Sequence, residues 1–213
     1  MKLGDIKIEA LKMMGANVNE DIYPEYLSDY MNDESYKEYL INMTGAINRC
    51  FSSLEEKRVL PTKARVLTLS EGLASNAFVR FDLANLIEDF YDIDRIVRET
   101  SNGDYDADHE YIREGDTLVL DRFEENDGIS YTVIYHPSIQ RITSSTDNET
   151  ELSIPDSIAS YIPYFIKGEL YRGDEPNEAS EARNWYEQAM AEISSKKIRK
   201  TNGVRTVYSQ TED

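Results

Sequence analysis

Cysteine and histidine are nearly missing from this chain: Cys50 stands alone, and His109 and His136 are the only imidazoles. A single cysteine makes no internal disulfide, and two histidines fall short of the usual zinc ligand sets. Cys50 sits in the apolar pattern of a helix, where a lone thiol behaves as a small buried hydrophobe. His136 ends the run "YTVIYHP" with no serine nearby in a strand–turn–helix setting, so it does not read as the base of a nucleophile. The P-loop, GxGxxG, HExxH and GxSxG patterns are all missing. Carboxylates are so abundant that any pair of them carries no information. These absences argue against an enzyme, and no cofactor or metal is expected.

Long apolar runs are lacking too. None approaches the ~18 residues of a membrane span. The opening "MKLGDIKIEALKMM" mixes charge into its apolar positions and has no signal-peptide core. The expectation is a chain made in the cytoplasm without a membrane partner.

Positive charge is scarce and unevenly placed. The 213 residues hold 23 Lys and Arg against 41 Asp and Glu, a net of −18. Five of those bases (Lys196, Lys197, Arg199, Lys200, Arg205) lie in the last twenty residues with two acids, leaving residues 1–193 at −21. An acidic body argues against nucleic acid as a tightly held ligand, because phosphate contacts need cations. The basic end reads as an arm that orders on a partner, by strand addition or by seating its bases on an acidic surface. Its β-branched stretch from Val204 and the pair Asn202-Gly203 also fit a small hairpin.

One acidic run needs a separate test. Asp104, Asp106 and Asp108 have calcium-loop spacing, but His109 stands at the sixth position and Gly115 at the twelfth. The loop thus lacks both its turn glycine and its bidentate glutamate, and a solvated hairpin is expected instead.

Periodicity divides the rest. Leu3, Ile6, Ala10, Leu11 and Met14 predict a first helix that stops at Gly15. A polar connection with Pro24 follows, holding a short helical turn. Asn32 or Asp33 caps a long second helix with Tyr36, Leu40, Met43, Ile47, Cys50 or Phe51, and Leu54 on one face. Gly45 costs that helix about 1 kcal/mol against alanine, which points to a close packing contact, and Pro61 ends it. From Lys63 to about Ile142 the period becomes alternating. "RVLTL", "AFVRFDL", "DRIVRE", "DTLVLDRF" and "ISYTVIYH" read as strands, with turns at Asn102-Gly103 and Asp127-Gly128. "LANLIEDF" fits either a helical turn or a loop. Past Pro155 the helical period returns on Ile158, Ile162, Phe165, Ile166 and Leu170, with a kink expected at Pro163. The last helix would bury Ala179, Ala182, Trp185 or Tyr186, Ala189 and Ile193.

Neither terminal helix pair can bury its apolar stripe alone. The economical fold is α+β: N- and C-terminal helices form one bundle, with an inserted antiparallel sandwich or barrel-like domain and an extended C-terminal arm. The expected boundaries are 1–62, 63–150, 151–195 and 196–213.

The chain resembles the phage head-to-tail connector (adaptor) proteins, rings that dock beneath the portal. The resemblance rests on "LGDIKIEALKMM", "YLINMTGAINRCFSSLEEKRVLP", "IEDFYDIDRI", the "EGDTLVL" to "ISYTVIYHP" hairpin, and "IPDSIASYIPYFIKGELYRGDEPNEASEARNWYEQA". It implies a ring homo-oligomer, typically twelve-fold, in the virion neck and assembled in the host bacterial cytoplasm. It further implies a portal partner, a downstream neck or tail protein, and DNA passing through the channel without specific binding. The portal-binding arm carries over to Lys196, Lys197, Ile198, Arg199, Lys200, Val204, Arg205, Val207 and Tyr208. The other reading of the same residues is a cytoplasmic, non-enzymatic adaptor or regulator that binds a partner through that arm.

Overall fold

Helices form at both ends of the chain and strands between them, in a mixed α+β arrangement with two antiparallel sheets. The structure, a computed structural model, describes residues 1–15, 27, 32, 34–123 and 128–205, the side chains of 35 and 197–205 excepted. The turn expected in the connection before Asp33, and Asp127 of the second hairpin turn, lie outside the described residues. So do Val207 and Tyr208.

Among the described residues, the first of two compact units, Met1–Val59 with Ile139–Asp213, holds a single helical turn, Asp156–Ala159, and four longer helices. The four are α1 (Leu3–Met13), α2 (Glu34–Glu56), α3 (Ile162–Leu170) and α4 (Pro176–Arg205). Their inward stripes are those the 3.6-residue period selects: Leu3, Ile6, Ala10 and Leu11 on α1, and Met43, Ile47, Cys50, Phe51 and Leu54 on α2. Both residues of the Cys50/Phe51 choice are buried. On α4 the choice falls to Tyr186, which is fully buried, while Trp185 faces outward. Tyr186 meets Phe165 edge-on at 5.0 Å between ring centres, and the Arg183 guanidinium lies 4.3 Å over Phe165.

Helix ends are set by local chemistry. The α1 amides of Leu3 and Gly4 donate to the carbonyls of Thr150 (2.9 Å) and Asn148 (2.8 Å), which satisfies donors that the helix itself cannot. At its other end, Lys167 Nζ and the Tyr171 hydroxyl donate to the carbonyls of Met13 and Met14. Helix α2 stops at Glu56, earlier than Pro61 would require. Arg58 adopts left-handed geometry (φ 52°), and the Arg58 and Val59 amides donate back to Glu55 and Leu54. That pair of bonds is a Schellman closure built on arginine where glycine is usual. Pro163 breaks its helix outright, where a kink was expected. One turn, Asp156–Ala159, ends at Ser160, and α3 begins afresh with Pro163 in its first turn.

Gly45 is not a packing contact: a Cβ there would meet only the tip of Arg49. The close approach is at Gly168, where a Cβ would stand 3.3 Å from both the Ala179 carbonyl oxygen and Arg183 Cβ. Helices α3 and α4 meet there.

The second unit, Leu60–Ser138, holds the strands. These are β1 (Lys63–Leu67), β2 (Leu73–Ala74), β3 (Phe78–Asp82), β4 (Phe90–Thr100), β5 (Tyr105–Asp106), β6 (Ile112–Glu114), β7 (Thr117–Asp121) and β8 (Ile129–Pro137). One sheet runs β1-β8-β4-β5, the other β2-β3-β7-β6. Alternate residues of both, including Val79, Phe81, Leu118, Leu120, Ile96, Tyr131 and Val133, enter one buried cluster. "LANL" is a helical turn capped by the Asp82 carboxylate. Gly103 and Gly128 supply the positive φ of their turns.

No closed barrel forms among the described residues. Edge strands β2, β5 and β6 are two or three residues long and too short to join the sheets. The strand unit also ends at Ser138, short of residue 150. The segment beyond belongs to the helices because α2 side chains hold it. Glu55 accepts the Ile139 amide (2.7 Å), and Asn48 exchanges hydrogen bonds with Ile142 (2.8 and 3.0 Å).

Candidate interaction surfaces

The expected arm begins on the last turns of α4. Its backbone stays helical through Arg205, so Lys196, Lys197, Ile198, Arg199, Lys200, Val204 and Arg205 lie on one continuous 30-residue helix. This replaces the extended or hairpin geometry expected there. No proline interrupts α4 after Pro176, and lysine and arginine are good helix formers. Glu192 and Lys196 pair at 2.7 Å across one turn. At ~1.5 Å per residue α4 is about 45 Å long. Burial along it fades past Met190: Ile193 and Ser194 are half-buried, Ser195 and Lys196 exposed.

Further up α4, Trp185 is 55% exposed. Glu178, Glu181, Gln188 and Glu192 lie three, four or seven positions away and share its side of the helix. The outer face is therefore an indole among carboxylates, two of which are ion-paired, Glu178 with Lys167 (2.6 Å) and Glu192 with Lys196. Alternation of burial along α4 could not separate Trp185 from Tyr186 in the sequence, because adjacent residues differ by only 100° around the axis.

In the strand unit, β1 is a sheet edge that pairs only with β8 among the described residues. Its sequence, "KARVL", is exposed at its first four positions, and Val66 is 58% exposed. Lys63 pairs with Asp89 at 2.5 Å, and Arg65 with Glu71; both cations stay about half exposed. A third surface is a register row across the other sheet, Leu73–Arg80–Val119–Ile112, whose two ends are exposed aliphatics.

The residues screened for chemistry occupy structural positions. Burial pushes the Cys50 thiol up to about 12, and its sulfur lies 3.9 Å from the Tyr186 hydroxyl. His136 is buried, with Nε2 3.3 Å from Asp94. Asp106 is half of strand β5 and accepts from His109 (2.8 Å) and the Asp108 amide, which hold its carboxyl below the usual range. No cluster of three metal-ligating side chains exists among the described residues, and no helix there is long and apolar enough to cross a membrane.

Glu55 is a buried anchor that no sequence pattern marks. Only 4% exposed, its carboxylate accepts from the Ile139 amide and from both terminal nitrogens of Arg141 (3.0 and 2.5 Å). No protein-family model matches the chain, and no curated protein matches it.

Proposed function

We propose that the chain is a non-enzymatic virion protein, a head-to-tail connector that assembles as a ring between the portal and the neck or tail and lines the DNA channel. The observation that carries this reading is the order of parts: one helical unit made from both chain ends, a strand unit inserted between them, and a long last helix with the bases on its final turns. The two chain ends act as a bundle, and the insertion as a two-sheet module for contacts within the neck. A ring needs two different faces of one subunit to meet around an axis, and two chemically unlike units offer such faces. The net −21 of residues 1–193 repels phosphate, so DNA threads the channel without being held.

Residues 196–213 are the portal-binding arm in this reading. The test is a chain truncated after Ser195, compared with the full chain for co-sedimentation with a portal ring. The truncated chain is expected to keep the circular-dichroism spectrum of a folded α+β chain, reduced by the ten helical residues 196–205 that it loses, and to lose the portal. Portal binding equal to that of the full chain would remove the arm's role.

A further inference from the structure

Helix α4 changes chemistry without changing face. Burial sets its inward side through Ser194: Ala179, Ala182, Tyr186 and Met190 are buried, Ile193 and Ser194 half-buried. Helix α3 covers that side, with Gly168 against Ala179 and Phe165 against Tyr186. The two helices therefore run antiparallel, and α3, which starts at Ile162, runs out near Met190. The backbone of α4 stays helical through Arg205, so steps of seven residues carry each side onward. On the inward side Met190 leads to Lys197 and Val204, and Ile193 leads to Lys200. On the exposed side Glu192 leads to Arg199, and Ala191 leads to Ile198 and Arg205. The bases of the arm thus divide between two sides of one helix. No acid stands three or four positions from Lys197 or Lys200, so the sequence offers them no counterpart to the Glu192–Lys196 pair along α4.

We propose that the arm docks through this inward face. Lys197 and Lys200, with Val204 beside them, seat on a carboxylate-bearing protein surface that takes the place along α4 that α3 leaves, while Arg199 and Arg205 stay outside the contact. This rests on the reading of residues 196–213 as the portal-binding arm, and it gives the partner its chemistry. Two arguments choose the occupant. The face is continuous with one that already packs on a helix, so a surface laid along it extends the same line of contact. It also turns from apolar to basic where the body ends, which matches an acidic partner. The net −21 of residues 1–193 behind it repels phosphate, which favours protein over DNA as the occupant.

Two full-length double variants with the same change of charge test it by co-sedimentation with a portal ring. Lys197→Glu with Lys200→Glu should weaken binding by about tenfold or more, and Arg199→Glu with Arg205→Glu by no more than about threefold. Glutamate forms helix about as well as the bases it replaces, so circular dichroism should match between the two. Equal losses would mean that net charge alone is read, and full binding by the lysine variant would mean that its face is unused. Either result overturns the proposed face, and the arm reading still stands if truncation after Ser195 abolishes binding. Binding of the full chain to a short DNA duplex, lost in the lysine variant, would overturn it in favour of nucleic acid. A chain truncated after Ser195 that binds the portal like the full chain would remove the arm reading itself.

Discussion

Replacing Glu55 by alanine removes the side chain that holds residues 139–142 on α2. The Ile139 amide then loses its acceptor in a buried place, a loss of about 1–3 kcal/mol. Arg141 loses a carboxylate that it grips with both terminal nitrogens. Its side chain is 44% exposed, so water recovers most of that, leaving no more than ~1 kcal/mol. The expected total is about 2–4 kcal/mol, and a Tm lower by about 5–15 °C for a chain of this size. Trp185 is the only tryptophan and sits in the helical unit, so urea unfolding followed by its fluorescence reports that unit selectively. Glu55→Gln keeps an acceptor for Ile139 and should cost less than the alanine. An alanine variant within ~0.5 kcal/mol of wild type would refute the anchor.

Three other perturbations separate packing from backbone and protonation effects. Gly168→Ala should lose about 1–3 kcal/mol because its methyl meets the Ala179 carbonyl, whereas Gly45→Ala should gain about 1 kcal/mol because only the flexible Arg49 tip is near; urea midpoints decide both. Arg58→Gly relieves a left-handed arginine and should raise stability by about 0.5–1 kcal/mol in the same assay, with no change refuting the strain. With its thiol pushed up to about 12 by burial, Cys50 should resist alkylation at pH 8 when native and react in urea. The fold favours the neutral thiol, so its contribution is complete below the ordinary value of 9.0 and is lost as pH rises towards 12. Burial raises the Tyr186 phenol as well and steepens the same alkaline loss. Stability measured between pH 9 and 12 should fall by up to ~1.4 kcal/mol per pH unit for the thiol, and Cys50→Ala should flatten that slope.

Periodicity made the elements legible and left their ends and joints hidden. The stripes of α1 and α2 could be read because burial follows a 3.6-residue repeat there. The five strand runs could be read from their β-branched and aromatic residues between turn signals, burial alternating along the whole strand only on β3. The edge strands β2, β5 and β6 are too short to show a period. Helix ends were hidden because they depend on partners far along the chain. Thr150 and Asn148 cap α1, and a left-handed arginine closes α2 before its proline acts. Glycine misled in one direction and was silent in the other. Gly45 sits exposed, while the close approach between helices is at Gly168, and in the strand unit a Cβ at Gly72 would meet Val79 and Phe81. Of the surface residues, the bases of the arm were visible as composition. The carboxylates around Trp185 were not, since their grouping needs the helix phase that the burial of Tyr186 fixes.

Electron microscopy of the full-length chain mixed with a portal ring tests the central claim most directly. The account predicts a second ring coaxial with the portal, its subunits each showing a helical body and a strand module, with the C-terminal helix directed at the portal. Particles that show the portal alone, beside a chain that stays monomeric at every concentration, would contradict it.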